Sequence, residues 1–253
     1  DGQEKAGMGT FAVDLKVNGK LDLFVANLAG QSDSFYENRG AFFSDQTPQR
    51  GLAIDSRPLT RFGVGFHDFD RDGLLDIFIA NGRVTLPDDV SASGDPFAEP
   101  NLLLHGKPGY RFERIADLES GGVAQRFTSR AAIFADFDNN GSLEIVVVNR
   151  NGPIEFLVNS LPHLGNWVGF RVLDAYGRDA LGAVITLNTP AGPMRRGVNP
   201  HYGYLASHYP RVIFGLGDHD EVAKVSVQWS DGFRQDYGDF KAGKYYTLHV
   251  GSH

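Results

Sequence analysis

The chain has 253 residues with 24 basic and 31 acidic side chains, a formal net charge of −7, and it contains 31 Gly, 12 Pro and no Cys. The lack of Cys excludes disulfide scaffolds, thiolate metal sites and a Cys nucleophile, and the negative charge without any cluster of Lys and Arg argues against a nucleic-acid partner. No apolar run approaches the roughly 20 residues of a membrane-spanning helix, so we expect no membrane span.

Three segments of the first 160 residues share one pattern, in which an apolar strand, an acidic loop centred on Gly and a second apolar strand follow one another. They read FAVDLKVNGKLDLFVANLAG from Phe11, FHDFDRDGLLDIFIANGRV from Phe66 and FADFDNNGSLEIVVVNRNG from Phe134. The interval between the second and third holds a polar insert, Leu86 to Phe97, which indicates a loop excursion.

Hairpins complete the first two repeats. SFYENRGAFFSDQT predicts a hairpin that turns at Arg39-Gly40, and NLLLHGKPGYRFERIA predicts one that turns at Pro108-Gly109. Four short strands in each repeat of about 50 residues are typical of a β-propeller blade. We therefore predict an all-β protein in which residues 1–160 form three propeller-type blades, a partial propeller.

The first acidic loop departs from the pattern of the other two. Counting from its first acid, it has Asp14 at position one, Lys16 at three, Asn18 at five and Asp22 at nine. A cation therefore stands where a second carboxylate would attract a divalent ion. We expect Lys16 to replace the ion by bridging Asp14 and Asp22, and we predict that this loop holds no metal.

The second loop predicts a calcium site. Asp68, Asp70 and Asp72 occupy positions one, three and five, the Leu74 carbonyl is available at seven, and Asp76 stands at nine. Alternate side chains of a tight loop converge, and hard oxygen ligands without His or Cys favour Ca²⁺. The flanking strands and the absence of a Glu at position twelve exclude an EF-hand.

The third loop carries a similar ligand set with one charge fewer at position five. We predict a second Ca²⁺ here, held by Asp136, Asp138, Asn140, the Ser142 carbonyl and Glu144. Asn140-Gly141-Ser142 also spells a glycosylation sequon, but an asparagine inside a calcium loop is a poor acceptor.

The segment RFGVGFHDFDRDGLLDIFIANG resembles an FG-GAP/VCBS repeat, the blade unit of integrin α-subunit propellers and of many secreted bacterial proteins. Phe62-Gly63, the Asp68 to Asp76 loop and Asn81-Gly82 carry the resemblance. It implies blades of a propeller that typically has seven, and acidic loops that bind Ca²⁺.

After residue 160 the acidic loops end, and alternating strands from Asn166 onward predict a separate β-sandwich or β-barrel domain over residues 164–253. Its landmarks resemble the ASPIC/UnbV domain; they are Asn166-Trp167, RDALGAVITL, HYGYLASH, FGLG and VQWSDG. Blades followed by this domain are similar in order to the cartilage acidic protein-like family, whose members usually carry more blades upstream.

No P-loop, dinucleotide-binding glycine pattern, HExxH or GxSxG motif is present, so no catalytic residue is predicted. One stretch offers a pocket for an aromatic or sugar-like ligand, although surface loop residues are the favoured interpretation; it holds His201, Tyr202, Tyr204, His208, Tyr209 and His219.

Four further residues or pairs are interpreted as structural. His67 is expected to point away from Asp68, Trp167 and Trp229 to lie in the core, and Arg195-Arg196 is too short for a basic patch.

Two functions remain open. The favoured one is a calcium-stabilised extracellular, cell-surface or periplasmic adhesion module that binds an unknown protein or glycan. The alternative is a secreted or biosynthetic enzyme of the cyclase or alkylation type that uses a propeller cavity. A free acid or His lining such a cavity would favour the enzyme.

Three blades cannot close a propeller, so we expect exposed apolar faces on the outer blades. The favoured explanation is a fragment of a longer chain, because GMGTFAV reads as a strand within a blade and no signal peptide is visible. A capped arc, closed by the C-terminal domain, and a ring of two copies are the alternatives.

Overall fold

A computed structural model describes residues 4–86, 94–115, 121–161, 164–190 and 192–251. These ranges contain β-strands and one 3-10 turn at Gly122–Ala124, with no α-helix among the described residues. The predicted all-β class is confirmed. No sheet within the described ranges closes on itself, and none of their helices is long and apolar enough to cross a membrane.

The first two repeats each form a four-stranded antiparallel sheet. The first contains β1 (Gly7–Val13), β2 (Asp22–Asn27), β3 (Ser34–Asn38) and β4 (Phe43–Asp45). The second contains β5 (Arg61–His67), β6 (Asp76–Asn81), β8 (Leu102–Lys107) and β9 (Arg111–Arg114), while β7 (Glu99–Pro100) lies outside it. Strand order follows the chain within each sheet, and both predicted hairpins are confirmed.

The third repeat forms a smaller sheet than predicted. It has three described strands, β11 (Ser129–Ala135), β12 (Glu144–Asn149) and β13 (Glu155–Leu157), in place of four. The preceding strand β10 (Arg126–Phe127) pairs with β7 instead. Most of the predicted Leu86 to Phe97 excursion lies outside the described residues.

Strand β6 shows how the sheets pack face to face. All six of its residues are buried, and successive side chains of a strand point to opposite faces. Ile77 and Ile79 therefore join one cluster with the first blade, while Phe78 and Ala80 join another with the third. The inner strands approach so closely that a Cβ on Gly63 would lie 2.5 Å from the Ala132 nitrogen. The three sheets thus form an arc of propeller-type blades.

The C-terminal segment, residues 164–251, is built from two sheets. Its strands are β14 (Asn166–Leu173), β15 (Val184–Thr189), β16 (Gly192–Gly197), β17 (Val212–Gly217), β18 (Glu221–Gln228), β19 (Arg234–Asp236), β20 (Phe240–Lys241) and β21 (Lys244–His249). One sheet has the order β17-β14-β21, and the other has β16-β15-β18-β19 with β20 also on β18.

Side chains of both sheets share one apolar cluster, which gives a sandwich arrangement. Phe170 of β14, Ile185 of β15 and Val227 of β18 are fully buried there. Trp229 joins this cluster, as predicted. Trp167 is also buried, as predicted, but it lies outside this cluster, against the third acidic loop.

The outward face of the third blade is apolar and exposed, as expected of an open arc. Val148 and Phe156 on this face are 36% and 52% exposed, and Phe137 packs edge-on against Phe156. On the first blade the corresponding Leu23 and Val25 are half-buried.

Candidate metal centres and an adjoining cavity

The three acidic loops share one backbone conformation. Each connects the first two strands of its sheet, and each has a positive φ at position four and at the glycine of position six: Val17 and Gly19, Arg71 and Gly73, Asn139 and Gly141. In each loop the carboxylate at position one accepts the backbone N–H of that glycine, at 2.8, 3.0 and 2.7 Å. The repeat in the amino-acid sequence is therefore also a repeat in backbone conformation.

The second loop gathers four of its predicted carboxylates. Oxygen atoms of Asp68, Asp70 and Asp76 lie within 4.8 Å of one another, and Asp72 is grouped with Asp70. Asp76 is held by the backbone N–H groups of Phe69 and Gly106. Oδ1 of Asp68 is buried and has no hydrogen-bond partner among the described residues. An unpaired carboxylate oxygen beside two further carboxylates fits a cation with hard oxygen ligands.

His105 is a neighbour of the second loop that the sequence pattern does not reveal. Its Nε2 lies 3.1 Å from Asp70 Oδ2 and 3.7 Å from Asp72 Oδ2. It comes from β8 in the same sheet, so the loop pattern alone gives no signal for it. The Leu74 carbonyl stays a prediction as a ligand.

The third loop brings together Asp136, Asp138 and Glu144, whose oxygen atoms also lie within 4.8 Å of one another. Asn140 is part of the same loop, but its amide donates to Asp138 at 2.8 Å and its Oδ1 accepts the Ser142 N–H at 2.7 Å. Asn140 and the Ser142 carbonyl stay predictions as ligands. Three convergent carboxylates again fit a hard cation.

Crowded burial changes the acidity of these groups. Burial, reinforced by the charge of Asp76, raises the pKa of Asp68 well above its usual range. Burial also raises the pKa of Asp76 to about 7 and raises the pKa of Glu144. Crowded carboxylates repel one another when they are ionised, which raises their pKa values. A divalent cation stabilises the ionised form of such a group most strongly.

In the first loop the expected role of Lys16 is wrong. Its ammonium does not bridge Asp14 and Asp22 but bonds Glu37 on β3, at 2.7 Å. Arg195 of the C-terminal segment is the cation that neutralises Asp14, with Nη1 at 2.6 Å from Oδ2. Asp22 accepts the Asn38 N–H instead. No described carboxylate cluster forms around this loop that could hold a metal ion.

The C-terminal segment contacts the other two loops as well. Arg71 at position four of the second loop donates to the carbonyls of Gly141 and Asn140 and to Ser142 Oγ in the third. Its own carbonyl accepts the N–H of Gly217 at 2.9 Å. On the third loop, Tyr245 Oη donates to Asp136 Oδ2 at 2.6 Å. All three loops therefore lie at the boundary between the two parts of the chain.

A cavity of about 540 Å³ lies along this boundary. The first carboxylate of each loop lines one side, and arginines, tyrosines and His201 of the C-terminal segment line the other. The charged, polar and aromatic groups of its lining include Asp14, Asp68, Asp136, Phe11, His67, Arg195, Arg196, Tyr202, Tyr209, Arg211 and Tyr245.

His67 and Tyr202 line this cavity, and the buried His208 stacks on Tyr202, which corrects the interpretation of His208 and Tyr202 as surface residues. The two rings stack at 3.7 Å with an angle of 1°. His208 accepts the Phe134 N–H, and Tyr202 Oη lies 3.0 Å from Nε2 of His67. Burial lowers the pKa of His67 to about 3 and the pKa of His208 to about 4, so both rings are neutral.

Comparison with known proteins finds two family matches on this chain. Residues 14–79 match the FG-GAP-like repeat family, and residues 174–253 match the ASPIC and UnbV family. Both matches agree with the resemblances stated from the sequence. The third loop lies outside the first match, so its assignment rests on the conformation that it shares with the other two.

The chain is also similar to cartilage acidic protein 1 of three organisms. Identity is 24% with the Mus musculus protein over 278 residues, 24% with that of Homo sapiens over 241 and 26% with that of Xenopus tropicalis over 236. These alignments cover 90%, 92% and 89% of this chain but 42%, 34% and 34% of the relatives. The chain therefore spans less than half the length of these relatives.

Proposed function

We propose that this chain is a calcium-binding extracellular interaction module. The observation that carries the proposal is the convergence of three carboxylates in each of two loops, Asp68, Asp70 and Asp76 in one and Asp136, Asp138 and Glu144 in the other. The shared loop conformation extends the FG-GAP-like assignment from the second loop to the third. Calcium supplies charge balance and structure here, and binding to a protein or glycan partner is the function.

An extracellular or periplasmic location follows from the kind of site. Ca²⁺ sites of extracellular modules have dissociation constants of about 10⁻⁴ to 10⁻³ M, and such sites fill only where calcium is abundant. The similarity to cartilage acidic protein 1 agrees with this location. A nanomolar dissociation constant would contradict it.

An enzyme remains the alternative, with less support. Catalysis in the cavity requires an acid or base that is not committed to a loop or to the fold. The acids among the described lining residues are Asp14, Asp68 and Asp136, each at position one of a loop. Two histidines also line the cavity. His67 is half-buried and bonded to Tyr202, which fits a structural role, whereas His201 is exposed.

Calcium titration calorimetry of the chelator-stripped chain tests the proposal. We expect two bound ions for the original sequence and one for each of Asp70→Ala and Asp138→Ala, because each variant removes a carboxylate from one cluster. Asp14→Ala should still bind two ions, since Arg195 already neutralises that loop.

Asp236→Ala, an exposed acid on β19, serves as the matched control and should bind two ions. Stoichiometries of zero, one or three for the original chain contradict the proposal. So does an Asp70→Ala variant that still binds two ions.

A further inference from the structure

The cavity at the boundary has the size and the opening of a small-molecule site. Its volume of about 540 Å³ lies within the range of roughly 300–1,000 Å³ that ligand pockets occupy. Leu21, Leu181 and Tyr209 in its lining are about half exposed, so they form an apolar mouth. A ligand with an apolar body can enter there.

Inside the cavity, Arg196 has a charge that the described residues leave uncompensated. Its Nη1 donates to the Arg195 carbonyl at 3.1 Å, and it forms no ion pair with any described residue. Burial lowers its pKa, while Asp68 and Asp14 raise it from a distance. A half-buried guanidinium without a counter-ion is unfavourable, and its planar fork matches a carboxylate.

The carboxylates that line the cavity are engaged elsewhere. Asp14 is paired with Arg195, and Asp136 accepts bonds from two backbone N–H groups and from Tyr245. Asp68 is the remaining one, and a calcium ion bound to its loop would offset part of the carboxylate charge there. Arg196 is then the arginine of the lining that is left for an anion.

The walls beside this charge are aromatic. Phe11 and Tyr202 lie with ring centroids 4.6 Å apart, and both line the cavity. Arg211 lies between the rings of Tyr209 and Tyr245, at 4.4 and 3.9 Å from their centroids, and its buried Nε has no hydrogen-bond partner in the described ranges. A flat aromatic ring packs well against such side chains. A carboxylate attached to that ring can accept hydrogen bonds from Arg196 and from Nε of Arg211.

We propose that this cavity binds a small aromatic carboxylate, with the carboxylate on Arg196 and the ring against Phe11 and Tyr202. The inference rests on the proposed calcium at the Asp68 loop, which reduces the opposing negative charge. It adds to that function a ligand site formed jointly by the blades and the C-terminal segment.

Titration of the calcium-loaded full chain with benzoate tests the inference, with benzyl alcohol as the neutral analogue and glucose as a sugar probe. We expect one benzoate per chain and at least roughly tenfold weaker binding of benzyl alcohol, because a charge-assisted bond to Arg196 is lost. Equal binding of benzoate and benzyl alcohol, or binding of glucose in place of benzoate, overturns it.

Two variants locate the site. Arg196→Gln should weaken benzoate binding at least roughly tenfold. Gly197→Leu should abolish it by filling the cavity, and it is compatible with folding because a Cβ at Gly197 meets no atom within 4 Å. The matched control, Arg178→Gln, alters an exposed arginine paired with Asp174 and should leave binding unchanged. Unchanged binding in Gly197→Leu refutes the location.

Calcium is counted first, without benzoate, so the two proposals fail separately. If the chain binds two calcium ions but no benzoate, only this inference is refuted. If the chain binds no calcium, the proposed function is refuted. Benzoate binding that survives chelation at full strength overturns the charge argument.

Discussion

At the scale of single residues, His208 is a buried base whose two nitrogens are both used. Nδ1 accepts the Phe134 N–H at 3.2 Å, and Nε2 lies 3.2 Å from the Tyr202 carbonyl, to which it donates. Protonation would place a hydrogen on Nδ1, the nitrogen that now accepts the Phe134 N–H. Burial disfavours the charged ring and lowers the pKa of His208 to about 4, against an ordinary value of 6.5.

This shift predicts acid sensitivity. Between about pH 4 and 6.5, His208 is protonated in the unfolded chain but neutral in the folded chain. The contribution of neutral His208 to the free energy of unfolding is therefore complete above about pH 6.5 and is lost as the pH falls through this window. The loss is at most about 3 kcal/mol. Urea unfolding in chelator across this range should show a flatter pH dependence for His208→Asn, whose Oδ1 can still accept the Phe134 N–H.

His219→Asn is the matched control, because His219 lies in a loop outside this stack and should keep the original pH dependence. Equal pH dependence of the His208→Asn variant and the original chain would contradict the assignment of the acid sensitivity to His208.

At the scale of elements, the third loop and β14 meet at van der Waals distance. A Cβ on Gly141 would lie 2.0 Å from Trp167 Cδ2, and the φ of Gly141 is +83°. The loop must therefore have glycine here for two reasons, its left-handed backbone and the indole ring above it.

Gly141→Ala separates these two reasons when it is compared with Gly177→Ala. Gly177 has a φ of +74°, and a Cβ added there would meet no atom within 4 Å, so that variant should lose only about 1 kcal/mol from backbone strain. We expect Gly141→Ala to lose about 2–4 kcal/mol, since overpacking adds roughly 1–3 kcal/mol to the backbone strain. Chemical denaturation measures both, and equal losses would show that Trp167 does not press on the loop.

Local patterns predicted the strands, hairpins and loops because these features depend on neighbours in the chain. The spacing of Asp68, Asp70 and Asp76 within one turn brings their oxygen atoms together whatever surrounds them. The Asp14–Arg195 pair joins residues 181 positions apart, and the His67–Tyr202 bond joins residues 135 apart. Such distant pairs leave no periodic signal in the sequence, so local patterns cannot reveal Arg195 as the counter-ion of the first loop or Tyr202 as part of the cavity lining.

At the scale of the whole molecule, the loops connect the blades to the C-terminal segment. Arg195, Tyr245 and Arg211 reach from that segment to the first and third loops, and Arg71 of the second loop bonds to both the third loop and Gly217. Ion binding that orders the loops should therefore also stabilise strands that contain no loop residue.

Hydrogen exchange measures this coupling without any substitution. When the free calcium concentration is a hundred times the dissociation constant, each site adds about 2.7 kcal/mol to the free energy of unfolding. We expect chelation to speed exchange in β18, deep in the C-terminal segment, as well as in β6 between the blades, because the shared boundary makes them unfold together. The double variant Asp70→Ala/Asp138→Ala should show no response to calcium in either strand. A calcium effect on β6 with none on β18 would mean that the two parts of the chain are stabilised independently.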